Sequence, residues 1–182
     1  DANVAQVKAA VRKLGFTDVV EVSLGADATA WHEAQELKEA VESNRKMTTS
    51  CCPAFVEMIE KHFPKLIPNI STTGSPMTLV SRYIKANNPG ATVVFIGPCI
   101  AKKLEAKKVE DTADYVITFE ELAALFEAKG IDVHEAAENE QDGSRLGKGF
   151  AHSGGVAASL AAVLDDANFE TPFSSIKCNA AK

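Results

Sequence analysis

The sequence predicts an α/β fold with mostly parallel sheets flanked by helices. Three observations lead there. Strand-like and helix-like segments alternate along most of the chain. Residues 92–96 and 115–117 are dense in β-branched and aromatic side chains, the composition of strands buried on both faces. The turn Asn87-Asn88-Pro89-Gly90 divides the chain into two approximate lobes, 1–88 and 89–182, and 182 residues suffice for one compact domain or two such lobes.

The elements follow in order. Val4, Val7, Ala10, Val11 and Leu14 recur at helical spacing, and Gly15 stops that helix. Residues 19–24 read as a short buried strand. Residues 28–42 read as a helix with Trp31, Leu37 and Val41 in or near one face. Residues 47–50 predict a short strand running into Cys51, and Pro53 suits the first turn of a helix over 54–62. Pro64, Pro68 and the polar 71–74 stretch break the chain, and Ser75-Pro76 opens a helix through Tyr83 to Ala86. A helix over 119–129 follows the second strand. Residues 136–148 are polar and predict a loop, Gly154-Gly155 opens a helix over 156–164, and 174–178 reads as a last strand.

Composition narrows the function classes. Net charge is −6, which does not favour a nucleic-acid partner. No apolar run reaches the length of a membrane span, and the first residues are a helical pattern without an export signal. The four cysteines, Cys51, Cys52, Cys99 and Cys178, are therefore expected in a reducing, cytoplasmic setting, where thiolates serve as metal ligands more readily than as disulfides.

Three of them share one context. Cys51-Cys52-Pro53 and Pro98-Cys99 each follow a predicted strand and precede polar or helical sequence. In α/β folds that edge is where ligands bind, and free backbone N–H groups there favour anions. Adjacent thiols such as Cys51 and Cys52 suit separate tasks. Buried, inert cysteines are the alternative, an even one for Cys99 alone and a weaker one for the pair. Lys102 lies one helical turn from Cys99 and can face whatever Cys99 binds, although a solvated basic face is the ordinary fate of a Lys-Lys pair. Glu33 and Glu36 share a helix face, the spacing of a proton relay and equally of a solvated acidic face.

Taken together, Thr49-Ser50-Cys51-Cys52-Pro53 and Pro98-Cys99-Ile100-Ala101-Lys102-Lys103-Leu104-Glu105 resemble the first two cysteine motifs of the iron-only ([FeFe]) hydrogenase catalytic domain. Supporting matches lie before the first motif, at Ser75-Pro76-Met77, after Tyr115 and at Ser153-Gly154-Gly155-Val156, so the resemblance spans nearly the whole chain. It implies a two-lobed, hydrogenase-like α/β domain and a reaction that interconverts protons plus electrons and H2. It also implies that Cys52 and Cys99 are two of the four thiolate ligands of a [4Fe–4S] cubane, which is linked in the family to a two-iron centre bearing CO, cyanide and a dithiolate. Cys51 would carry protons beside that centre, and Glu33, Ser75 and Glu36 would relay them to solvent. Lys102 would donate to a cyanide, and Glu105 would anchor its loop.

The family's third motif, near CxGGC, is not found, and Cys178 matches no ligand position. The chain is therefore expected to be an internal part of a longer protein, holding neither cluster and lacking activity on its own. A ferredoxin-like donor or attached iron–sulfur domains would supply electrons. Gly97 stands where the family has methionine, Phe55 where it has tryptophan, and Ala151-His152-Ser153 where it has Gly-x-Thr. These departures resemble a divergent branch linked to hydrogen sensing. A sensor is one alternative, and an iron–sulfur assembly homologue is another, although such homologues tend to lose the counterparts of Cys51 and Lys102. A zinc or disulfide module lacks paired CxxC spacing.

Overall fold

The computed structural model describes residues 2–135 and 144–167. Helices dominate it. In chain order they are α1 (Val4–Lys13), α2 (Ser23–Glu42), α3 (Pro53–His62), α4 (Pro76–Asn87), α5 (Lys102–Lys108), α6 (Phe119–Lys129), α7 (Arg145–Gly149) and α8 (Gly155–Asp166). Short 3-10 helices cover Pro64–Asn69 and Val133–Glu135. Strands β1 (Val94–Ile96) and β2 (Tyr115–Ile117) pair in parallel, with Val94 opposite Tyr115 and Ile96 opposite Ile117, and α5 lies in the crossover between them. The α/β class holds, with less sheet than the sequence predicts.

Local chemistry sets the helix ends. Asn3 and Gln6 form a reciprocal capping box on α1, and Thr118 and Glu121 form another on α6. Gly130 closes α6 in the left-handed region at φ +63°, a conformation that other residues rarely adopt. Pro53 and Pro76 occupy the first turns of α3 and α4, where a missing N–H removes no helical bond.

Three apolar clusters hold the elements. Ala10 and Val11 of α1 meet Leu122 and Phe126 of α6, with Ile96 and Ile117 of the sheet against them. Ala26 and Ala30 of α2 meet Phe150 and Leu160, with Cys51 packed alongside. Met77, Val93 and Ala113 form the third. The buried face of α2 is built from small residues, including Gly25, Ala26, Ala30 and Ala34, and α2 packs against α4, α7 and α8. At Gly25 the approach is so close that a Cβ would sit 2.1 Å from the Pro76 carbonyl oxygen.

Several expectations are corrected. Residues 19–21 form no strand, and α2 already starts at Ser23. A short apolar run is ambiguous on its own, and the alanine-rich sequence behind it extends the helix back. Trp31 is 54% exposed and does not share a buried face with Leu37. The 47–50 strand reduces to one parallel bridge, Thr48 to Ile70. The residues of β1 are only half-buried, because among the described residues the sheet has two strands and so two edges. Within the expected 136–148 loop, residues 145–149 form α7, capped by the Ser144 hydroxyl, which accepts from the N–H groups of Leu146 and Gly147 at 3.1 Å. The expected 174–178 strand and Cys178 lie outside the described residues.

Candidate functional site

The Thr48 bridge assembles the first half of the site. Thr48 N–H donates to the Asn69 carbonyl at 2.7 Å and Ser71 N–H donates to the Thr48 carbonyl at 2.8 Å. The loop after the 3-10 helix therefore runs beside the cysteine pair. Cys52 caps α3 in extended conformation and is exposed, whereas Cys51 is half-buried against the α2–α8 cluster. Burial, and then the negative charge of Glu33, pushes the Cys51 thiol above its ordinary value of 9.0. The Thr49 hydroxyl at 3.8 Å and the Lys102 charge oppose that rise.

Behind Cys51 stand the two carboxylates of α2. Glu33 is wholly buried. Its Oε1 accepts from Ser50 N–H at 3.0 Å, and its Oε2 has no partner among the described residues. Burial raises its pKa above the ordinary 4.5, and the Glu36 charge raises it further, against the hydrogen bonds from Ser50, with the Ser71 hydroxyl close by. Glu36, one turn along, is half-buried. Its Oε2 accepts from the Ser71 hydroxyl at 2.5 Å and from Thr72 N–H at 3.1 Å, and its Oε1 accepts from the Thr72 hydroxyl. Glu33, Ser71 and Glu36 thus form a row from the interior to the surface.

Ser75 does not join that row. Its hydroxyl donates to Glu105 Oε1 and accepts from Thr78 N–H at 3.4 Å as the cap of α4. The sequence grouped Ser75 with Glu33 and Glu36, whereas in the structure Ser71 is the serine that bonds Glu36. The available signal was Ser75-Pro76, a helix-start pair that already assigns that hydroxyl to a cap.

The second half centres on Lys102. Its ammonium donates to Glu105 Oε2 at 2.7 Å and to the Cys51 carbonyl at 3.2 Å, while its N–H donates to the Cys99 carbonyl at 3.1 Å. One residue therefore ties together both cysteine loops. Lys102 and Glu105 are each only 8% exposed. The solvated basic face weighed for the Lys-Lys pair describes Lys103, which pairs with Glu121 on the surface, and not Lys102. Cys99 is half-buried. At Gly97 a Cβ would come within 2.7 Å of the Phe95 ring, so any larger residue there requires that ring to move.

The donor set decides what the site can hold. Cys52 and Cys99 present two thiols, the ammonium keeps one N–H beyond its two named partners, and Glu33 keeps an unpartnered buried oxygen. This fits two corners of a cysteine-held iron–sulfur cluster with an anionic group beside it. Among the described residues no three His, Cys, Asp or Glu side chains converge on one metal ion. No described helix is long and apolar enough to cross a membrane.

The chain is similar to several known proteins. Iron hydrogenase 1 of Clostridium pasteurianum is 32% identical over 172 residues, 83% of this chain and 30% of that protein. The cytosolic Fe-S cluster assembly factor NAR1 of Scheffersomyces stipitis is 32% identical over 135 residues, 64% of this chain and 25% of its own. A variant of the [FeFe]-hydrogenase HydA1 from Chlamydomonas reinhardtii superposes on the whole chain with a TM-score of 0.75 at 30% identity, and 51% of that chain is covered. The chain thus spans between a quarter and a half of these relatives. The model of the iron-only hydrogenase large subunit, C-terminal domain, matches residues 1–182, and the chain belongs to that family.

Proposed function

We propose that this chain is part of a hydrogenase catalytic domain that carries out 2H⁺ + 2e⁻ ⇌ H2, with Cys51 as the proton carrier. The supporting observation is the row Cys51, Glu33, Ser71, Glu36. When bound, the linked iron–sulfur and two-iron group would supply the redox chemistry and the place where protons and electrons meet. Cys52 and Cys99 would hold its cubane, and Lys102 would direct its remaining N–H at a cyanide. Glu105 neutralises that ammonium from behind.

The protein's own part is to move protons. Burial keeps the Cys51 thiol protonated, so it has a proton to give. Ser50 N–H fixes the Glu33 carboxyl from the residue next to Cys51. The Ser71 hydroxyl donates to Glu36 and lies by Glu33, so on this reading it accepts from a protonated Glu33 and passes a proton on to Glu36. Glu36 delivers it at the surface beside Thr72. Ser71 takes the place in this relay that the sequence assigned to Ser75. Electrons would come from a ferredoxin-like donor or attached iron–sulfur domains.

The test uses the full-length protein. Cys51→Ala removes hydrogen turnover and leaves iron content unchanged, whereas Cys52→Ala loses iron. Ser71→Ala slows turnover far more than Ser75→Thr, which keeps the hydroxyl at the cap. Parent-level turnover in Cys51→Ala sinks the carrier role. A second reading, iron–sulfur assembly without hydrogen chemistry, is favoured by the match to NAR1. A cubane alone gives the buried Glu33 behind Cys51 no task, and absence of CO and cyanide infrared bands in the loaded parent would select this reading. A hydrogen sensor is a third possibility, favoured by Gly97 and His152 standing where the catalytic branch differs, and low turnover with intact bands would select it.

A further inference from the structure

Glu105 is held by more than the lysine it pairs with. Its Oε2 accepts from Lys102, while its Oε1 accepts from the Ser75 hydroxyl and from Thr78 Oγ1 at 3.1 Å. Thr78 Oγ1 also lies 3.0 Å from Thr112 Oγ1. The donor inventory fixes the directions. An ionised carboxylate only accepts, so Thr78 uses its single hydroxyl proton on Glu105, and Thr112 must be the donor to Thr78. Thr78 and Thr112 are 1% and 4% exposed, so water does not compete for these bonds. The chain of hydroxyls spans α4, α5 and the turn before β2, and it ends on the carboxylate that aims Lys102.

We infer that Thr78, backed by Thr112, is a positioning residue for the Lys102 ammonium: it fixes the plane of the Glu105 carboxylate and so the direction of the one N–H that Lys102 has left. The same carboxylate could be held by Ser75 alone, but a single donor on Oε1 lets it turn about its own axis. Two donors on Oε1 and the ammonium on Oε2 fix its plane. The inference rests on the hydrogenase reading only in what that N–H would touch.

The test has two readouts in the full-length protein. In the metal-free protein, trace acetylation followed by peptide mass spectrometry measures the reactivity of Lys102 against buried Lys8 and exposed Lys107. Thr78→Val and Thr112→Val are expected to raise Lys102 labelling by about two- to tenfold, the range of one lost hydrogen bond, and Thr78→Ser to keep the parent rate. Lys8 labelling stays constant. A general loosening of the fold raises both lysines together and overturns the inference. So does unchanged Lys102 labelling in both valine variants when Glu105→Gln accelerates it. Should Thr78→Val not fold, Thr112→Val decides, because it leaves every direct bond to Glu105 in place. In the cofactor-loaded protein, Thr78→Val shifts the cyanide infrared bands and Thr78→Ser restores them. Unmoved bands alongside faster Lys102 labelling overturn the hydrogenase role of that N–H and leave the positioning intact. Absence of bands in the parent itself sinks the hydrogenase reading, and the labelling series still decides the positioning.

Discussion

Removing the Glu105 carboxylate should be among the most damaging single changes in the described structure. Glu105→Leu leaves the Lys102 ammonium buried without its counter-ion, with only the Cys51 carbonyl for a partner. It also removes the acceptor of the Ser75 and Thr78 hydroxyls. Breaking a buried pair from one side costs about 3–5 kcal/mol. At a urea slope of about 2 kcal/mol/M, the midpoint falls by roughly 1.5–2.5 M. Replacing both partners, Lys102→Met with Glu105→Leu, leaves no buried charge and should recover most of that loss, because apolar residues of similar volume often substitute for a buried pair at little cost. The assay is urea unfolding of the metal-free full-length protein in a double-mutant cycle. A double variant as unstable as the sum of the two singles would refute the reasoning, as would a Glu105→Leu cost below about 1 kcal/mol, the value expected for a solvated surface pair.

Three further outcomes follow from the same structure. Glu33→Gln should make stability less dependent on pH. The folded-state pKa of Glu33 is raised, so the native state holds its proton longer than the unfolded chain, and the parent loses stability as pH rises from about 4.5 through the folded value. The urea-midpoint difference between variant and parent therefore grows in the variant's favour over that window and then levels off; a flat difference contradicts the raised pKa. In the metal-free protein Cys52 should react with iodoacetamide faster than Cys51, because Cys52 is exposed while Cys51 is half-buried with a raised pKa. Equal rates would show that the loop opens freely. Gly25→Ala should lower the melting temperature, since the added Cβ meets the Pro76 carbonyl oxygen at 2.1 Å and α2 and α4 must separate. Overpacking of this kind costs about 1–3 kcal/mol, and an unchanged melt would mean the helices are less tightly joined than described.

Much of the site was legible because its residues are fixed by local chemistry. The prolines beside Cys51-Cys52 and Cys99 mark loop-to-helix junctions, and Lys102 and Glu105 are separated by the three positions that bring side chains together on a helix. What stayed hidden depends on contacts distant in sequence. Ser71 and Ser75 lie in one hydroxyl-rich stretch, and only the bridge between Thr48 and Ile70 decides which of them faces α2. Thr78 and Thr112 are unremarkable in sequence and acquire a role only through packing of α4 against α5 and its following turn. The overestimate of strand has a similar cause. Residues 19–24 and 47–50 carry strand-like side chains, but a strand needs a partner, and the described residues give the first none and the second a single bridge.

On the proposed reading, the burial of Glu33 is the feature that would separate a proton-relaying site from a cluster scaffold. A buried carboxyl with an unpartnered oxygen opposes folding, and a glutamine or an apolar residue of similar size would relieve that cost. A chain needing only to hold a cubane between Cys52 and Cys99 gains nothing from it. On the proposed reading it gains a proton carrier. An exposed Glu33 would sit ionised at neutral pH and could accept a proton but would rarely have one to pass on. Burial shifts it toward the protonated form, and Ser71, already committed as a donor to Glu36, leaves its lone pair as the acceptor for that proton. The hydrogen-bond order of the row then runs one way when Glu33 is protonated and reverses when Glu36 is. A relay built so serves both directions of 2H⁺ + 2e⁻ ⇌ H2 with no rearrangement beyond the turning of one hydroxyl.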